Sequence, residues 1–332
     1  MFQEAAQAGA VVRRQIEANA VSVARLAKRL RDAPPRVVVT VARGSSDHAA
    51  TFAKYLFETK LGVITASAAP SVSSVYGAKQ DLRDALYFAI SQSGRSPDLV
   101  ASARSAQEAG ALVVATVNDE TSPLATLADF TLPLCAGEEK SVAATKSYVA
   151  SLAALVHLAS EWSRDTSLRS ALARLPDDLD SAWALDWSPA LQALTSVTHL
   201  YVIARGVGLG IAQEAALKCK ETCGLHAEAF SSAEVRHGPQ ALLREKFPAL
   251  VFCQDDETRS GTEALARELA ERGVPVWVAG GEMGNLPSIG SHPVIEPILV
   301  VESFYRMANA LAIARGHDPD EPPHLRKVTE TL

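Results

Sequence analysis

Between Glu214 and Pro239 the chain reads EAALKCKETCGLHAEAFSSAEVRHGP, a stretch rich in the residue types that move protons. Lys218 and Glu221 are three residues apart, which puts them side by side on one face of a helix. A loop rich in Ser, His and Glu follows, and then an Arg-His-Gly-Pro turn presents His237 where Gly238-Pro239 stops any helix. A carboxylate, an ammonium and an imidazole gathered near one helix suit proton transfer on a small polar substrate. Spacing alone leaves a plainer alternative open, because Glu214 and Lys218 also make an ordinary i,i+4 surface pair.

A second group of residues suits an anion. Gly44-Ser45-Ser46 and Ser91-Gln92-Ser93-Gly94-Arg95-Ser96 both stand where a β-rich run gives way to a helical one. In an open parallel sheet, ligands sit beyond the carboxyl ends of the strands. Helix N-termini there present free N–H groups and a positive dipole, to which Ser46, Ser91, Gln92, Ser93 and Ser96 would add side-chain donors for a phosphate. The competing reading is that these serines and glycines merely cap helices.

The elements that must carry these residues can be read in order. Residues 1–35 form one or two amphipathic helices ending at Pro34-Pro35. From Arg36, strands (RVVVTVARG, ALYFAISQSG, ALVVATVND, FTLPL) alternate with helices (SSDHAATFAKYLFETKLG, PDLVASARSAQEAG), and a long apolar helix runs from about Thr145 to Trp162. Residues 163–196 read as a helical connector broken at Pro176 and Pro189. Then the first unit starts again. Placing residue n on n+162 lays Ala42, Arg43, Gly44, Ala50, Ala53 and Gly62 over Ala204, Arg205, Gly206, Ala212, Ala215 and Gly224. The same offset lays FAISQSGRS over LVFCQDDET and LVVATVN over VPVWVAG. The expected fold is therefore α/β: two tandem doubly wound units, 36–162 and 197–312, with parallel sheets flanked by helices. N-terminal helices precede them, and an extended tail, 313–332, follows. The copies differ where chemistry is expected: Ser45-Ser46 faces Val207-Gly208, and Thr59 faces Glu221. The first copy is suited to holding an anion and the second to carrying the acid–base group.

Composition narrows the class. With 48% apolar and 21% charged residues, a net charge of −6 and no basic block, the 332-residue chain is an ordinary globular one with no nucleic-acid surface. No apolar run of membrane-spanning length and no signal-peptide core are evident, so a cytoplasmic protein without a membrane partner is expected. The four cysteines form no CxxC pair and read as core thiols, and the eight histidines show no ligand spacing, so no metal is expected. Gly206-Val207-Gly208-Leu209-Gly210 has Ile211 where GxGxxG requires glycine, and there is no P-loop, so no nucleotide cofactor is expected either.

Taken together, SQSGRS, VAATKS, EAALKCKE, RHGP and HLRKVTETL resemble the double sugar-isomerase (SIS) family. They are most similar to its amino-sugar members, the glucosamine-6-phosphate deaminases and the isomerase half of glucosamine-fructose-6-phosphate aminotransferase. The resemblance covers nearly the whole chain, in the family's motif order. It implies that Ser46, Ser91, Gln92, Ser93 and Ser96 hold a sugar phosphate, in loops where Gly44 and Ser45 are also expected to contribute, and that Val142 contacts the sugar through its backbone. It implies further that Glu221 shuttles a proton between C1 and C2, that Lys218 steadies charge on the sugar oxygens, and that Lys327 is a Schiff-base lysine on the tail. His237 would open the sugar ring from the neighbouring subunit of a homodimer. Ala144 departs from the pattern, since the synthase has a serine there. Only about 35 residues precede the first unit, with no glutaminase domain among them. The expectation is therefore an amino-sugar phosphate deaminase acting on glucosamine 6-phosphate without a cofactor. The alternatives are a galactosamine-6-phosphate deaminase, a phosphosugar-amine deglycase, an aldose–ketose isomerase, and a non-catalytic sugar-phosphate sensor.

Overall fold

The computed structural model describes residues 1–327; the last five residues of the expected tail, 328–332, lie outside the described residues. The chain opens with α1 (Phe2–Ala5) and α2 (Ala8–Asp32). The first strand–helix series follows: β1 (Val37–Val41), α3 (Ser45–Leu61), β2 (Thr65–Ser67), α4 (Pro70–Ser74), β3 (Ala85–Ser91), α5 (Pro97–Glu108), β4 (Leu112–Val117), α6 (Pro123–Leu127) and β5 (Phe130–Pro133). Three helices, α7 (Lys146–Ser163), α8 (Thr166–Trp183) and α9 (Ser188–Leu194), lead to the second series. It comprises β6 (His199–Ala204), α10 (Gly208–Cys223), β7 (His226–Ser231), β8 (Ala249–Phe252), α11 (Arg259–Glu271), β9 (Val276–Ala279) and α12 (Glu296–Ala314).

Two compact units result. One comprises Ala10–Glu139, Lys146–Ala173 and the tail from Arg326; the other comprises Met1–Gly9, Lys140–Thr145 and Arg174–Leu325. The division between the units falls within 163–196, after Ala173. Pro176 does not break this segment. It lies inside α8, where Leu168, Leu172, Leu175 and Leu179 are all buried. Four leucines on one face outweigh the roughly 3 kcal/mol that an interior proline takes from a helix.

The first unit has a parallel five-stranded sheet in the order β2-β1-β3-β4-β5, and the second a parallel four-stranded sheet in the order β7-β6-β8-β9. The internal repeat extends to register. Val39 pairs with Ala66 and Tyr87, and 162 residues on Tyr201 pairs with Glu228 and Ala249. At the next strand the offset slips to 163, since Tyr87 faces Val113 whereas Ala249 faces Val276. Both α3 and α10 end on a left-handed glycine, Gly62 and Gly224, where a side chain would be strained. Strand β3 is buried along its whole length, as a central strand covered on both faces must be.

Two sequence expectations need correction here. The stretch after α10, expected as a loop, contains the edge strand β7, whose exposed His226 and Glu228 hide its β character. By length and composition α12 does reach membrane-spanning apolarity, but 78% of its apolar window is buried, as in the core helix of a globular fold.

Candidate active site

In the first unit, β1 and β3 are neighbours and run parallel, so the loops at their carboxyl ends lie together. Gly44 enters α3 with φ +55°, and Gly94 turns at φ +62° with Ser122 Oγ packed where a Cβ would project. Neither α3 nor α5 has a side-chain cap, so Ser96, at the N-cap of α5, does not spend its hydroxyl on the helix. The side chains of Ser46, Gln92 and Ser96 hydrogen-bond to no other described residue. Ser91 Oγ and Ser93 Oγ instead accept bonds from the N–H groups of Gly94 and Arg95, which shapes the loop. Capping therefore does not account for these hydroxyls.

Arg43, at the end of β1, donates to the buried Asp98 in the first turn of α5 at 2.9 Å. This bond ties the two loops together and neutralises a carboxylate that would otherwise repel an anion at that helix N-terminus. Asn118, at the end of β4, joins the same group: its N–H donates to Gln92 O at 3.0 Å and its Nδ2 to Gly137 O at 2.8 Å. Two residues further on is Glu139, whose buried carboxylate accepts from Ser147 Oγ at 2.6 Å and from Lys327 Nζ at 3.1 Å. The first unit thus holds the seven residues expected to meet a phosphate and the tail lysine, the latter on a carboxylate that no motif announced.

In the second unit, the last turns of α10 carry Lys218 and Glu221. Lys218 is 1% exposed and donates to Glu221 Oε2 at 2.6 Å, with Glu214 Oε1 at 3.3 Å on its other side. Burial presses this ammonium toward neutrality, but the carboxylates of Glu214 and Glu221 outweigh it and hold Lys218 above the ordinary lysine value. Glu214, fully buried, also accepts from Tyr305 Oη at 3.0 Å, whereas the Glu221 side chain is 21% exposed. Glu214–Lys218 is therefore no surface pair but the buried half of a triad whose exposed end is Glu221. Arg315 fixes this end of the helix, donating to Cys223 O at 2.7 Å and to Thr195 O and Val197 O at 2.9 Å. At the matching position of α3, the Thr59 hydroxyl bonds back into its own helix, to Tyr55 O at 2.6 Å and Leu56 O at 3.5 Å.

His237 closes a 3₁₀ turn (Glu234–His237), with Gly238 at φ +142° and Pro239 starting the next turn. It is exposed, and among the described residues no hydrogen bond or ion pair links it to the Lys218–Glu221 pair. Val142 N–H donates to Asp320 O at 3.2 Å, which commits half of the peptide expected to meet the sugar.

The second copy of the anion loop is closed. Gln254, the repeat counterpart of Gln92, is buried and donates to Arg205 O at 2.7 Å, Asp256 Oδ2 at 2.9 Å and Thr258 Oγ1 at 3.1 Å. Its Oε1 would lie only 2.7 Å from a Cβ at Gly208, so the amide occupies the mouth of α10. Of the four cysteines, Cys219, Cys223 and Cys253 are core thiols, but Cys135 is only partly buried, in a turn at φ +53° between the buried Leu134 and Ala136. Among the described residues no three His, Cys, Asp or Glu side chains converge as a metal site would require.

The SIS domain family matches residues 30–161 and 193–279, the two strand–helix series. The chain belongs to the SIS family. A glutamine–fructose-6-phosphate aminotransferase (isomerizing) of Aeropyrum pernix is 33% identical over 313 residues, covering 87% of this chain and 50% of the relative. The chain thus spans about half the length of the curated relatives it matches. Among solved structures, a Silicibacter pomeroyi DSS-3 chain described as a phosphosugar isomerase is 43% identical with a TM-score of 0.93, covering 96% of this SIS chain and 99% of its own. A glucosamine-6-phosphate deaminase of Thermotoga maritima shares the fold at TM-score 0.76 and 23% identity, over 97% of this chain and all of its own. Within this SIS chain, sequence reasoning missed Arg43, Asn118, Glu139, Tyr305 and Arg315. All five act through contacts between residues far apart in sequence, so no local pattern marks them.

Proposed function

We propose that this SIS chain is a sugar-phosphate isomerase, and more specifically a deaminase of glucosamine 6-phosphate. The observation that carries the reading is Glu221, a part-exposed carboxylate held at 2.6 Å by a buried lysine and backed by a second buried carboxylate. A lysine kept charged in this way steadies negative charge on sugar oxygens, and a carboxylate reachable from solvent on one side only suits a proton shuttle. The phosphate is gripped by Ser46, Gln92, Ser93 and Ser96 with the N–H groups opening α3 and α5. His237, supplied by the neighbouring subunit of a homodimer, protonates the ring oxygen as the sugar opens. Glu221 then takes the C2 proton to give an enolamine and returns it at C1. Hydrolysis of the resulting C2 imine consumes one water and yields fructose 6-phosphate and ammonia.

A second reading, aldose–ketose isomerisation without loss of nitrogen, is favoured by the relative described as a phosphosugar isomerase. One assay separates the two: ammonia and ketose release across glucosamine, galactosamine and neutral hexose 6-phosphates. Ammonia from glucosamine 6-phosphate supports the deaminase. Ketose formed from a neutral aldose phosphate alone replaces it, and binding without any turnover overturns both readings in favour of a sensor.

A further inference from the structure

Glu139 has no role in the chemistry described so far, and its surroundings are unusual for a residue that merely pins a tail. Its side chain is fully buried at the start of α7, where Oε1 accepts the Ser147 N–H at 3.2 Å and Oε2 accepts the Ser147 hydroxyl at 2.6 Å. On that same Oε2, at 3.1 Å, sits Lys327 Nζ, whose side chain keeps 24% of its surface open. A surface ion pair would tether the tail with far less desolvation than a carboxylate taken wholly out of water. What the burial adds is a fixed oxygen, aimed by the Ser147 hydroxyl, in direct contact with the amine of a side chain that is itself part-exposed.

We propose that Glu139 is the proton acceptor that turns Lys327 into a nucleophile toward a sugar-phosphate carbonyl. An ammonium cannot attack a carbonyl, so a proton must first leave Nζ. It passes to Glu139 Oε2, giving a neutral amine and a neutral carboxylic acid. The amine lone pair forms the C–N bond while the carbonyl π pair moves to oxygen, and the carbinolamine expels that oxygen as water, taking back the proton held by Glu139. Ammonium plus carbonyl thereby become iminium plus one water, with Glu139 again a carboxylate. Ser147 donates to the oxygen that receives the proton and so holds it in line with Nζ. The proposal rests on the sugar-phosphate reading above, since it needs a carbonyl substrate held in the phosphate loops.

The test is borohydride trapping of the full chain with fructose 6-phosphate, located by peptide mass mapping and timed across pH. The wild type is expected to carry a reduced adduct at Lys327. Glu139→Gln keeps the amide oxygen for Ser147 but cannot take a proton, and is expected to trap about 10²-fold more slowly at neutral pH. Its deficit should close as pH rises toward the ordinary lysine range of about 10.4, where solvent deprotonates the amine. Glu139→Asp, which keeps the carboxylate at a longer reach, should fall between the two, and its own pH-dependent deficit decides the matter if the Gln variant does not fold. Trapping by the Gln variant at the wild-type rate, or a deficit that is constant with pH in either variant, overturns the proposal in favour of an anchoring role. A wild type that turns over but is never trapped removes Lys327 and Glu139 from the reaction and leaves the Glu221 shuttle standing.

Discussion

Replacing Lys218 by Met keeps the length and apolar stem of the side chain and removes only its charge. In the folded chain that charge is 1% exposed, with Glu214 at 3.3 Å and fully buried, and Glu221 at 2.6 Å and partly open. The two carboxylates then face different fates. Glu221 can turn to solvent, but Glu214 is left buried with the Tyr305 hydroxyl and no cation. Breaking a buried ion pair from one side destabilises by about 3–5 kcal/mol. In a unit of this size each kcal/mol shifts Tm by about 2–4 °C, so the variant should melt about 6–20 °C below the wild type by calorimetry. The double variant Lys218→Met/Glu214→Gln removes the stranded charge as well and should recover more than half of that loss. A single variant melting within 2 °C of wild type, or a double variant less stable than the single, would refute the reasoning. The same triad fixes a pH dependence. The pKa of Lys218 is raised in the fold, so its contribution is complete below the unfolded lysine value near 10.4 and is lost as pH climbs through the folded one.

Glu221→Gln should lower turnover at least 10²-fold while glucosamine 6-phosphate still binds within about threefold of wild type by calorimetric titration; equal loss of both would remove Glu221 from the shuttle. Ser96→Ala removes a hydroxyl not engaged in capping, so KM should rise about tenfold with kcat little changed, and a fall in kcat alone would count against a phosphate contact. Gly94→Ala meets both a φ of +62° and the Ser122 hydroxyl, and should destabilise the first unit by about 1–3 kcal/mol in urea melts. Burial pushes the Cys253 thiol up to about 12, so native protein should react with a thiol reagent first at Cys135, with Cys219, Cys223 and Cys253 reached only on unfolding. Because the folded Cys253 value lies above the unfolded one, its contribution to stability is lost as pH rises from about 9 toward 12.

The parts of the fold that sequence revealed are those with a local cause. Val37–Val41 and Ala85–Ser91 are β-rich runs closed by glycine, and Gly62 and Gly224 stop two helices 162 residues apart, so the repeat and its order were legible. Thr65–Ser67 and His226–Ser231 were not, because edge strands are short or carry charges on their open side. Pro176 misled for the opposite reason, a strong local signal overridden by buried leucines on either side of it. At the site, the loop serines and the Lys218–Glu221 spacing could be read, but not the depth at which Glu214 lies or the hydroxyl of Tyr305, 91 residues away, that reaches it. Glu139 was invisible for the same reason: the resemblance marked Lys327, but its partner lies 188 residues away with nothing in its own neighbourhood to announce the contact.

A duplicated fold ordinarily inherits two copies of every pocket, and with them two places for the same small ion to settle. Here the amide of Gln254 sits in the mouth of α10 and bonds inward to Arg205, Asp256 and Thr258, whereas its twin Gln92 leaves the mouth of α3 open. The consequence is one of stoichiometry. On the proposed reading each chain would offer a phosphate one seat instead of two, because the mouth of α10 is already filled by the Gln254 amide, and the second unit would be left to supply the proton-moving residues.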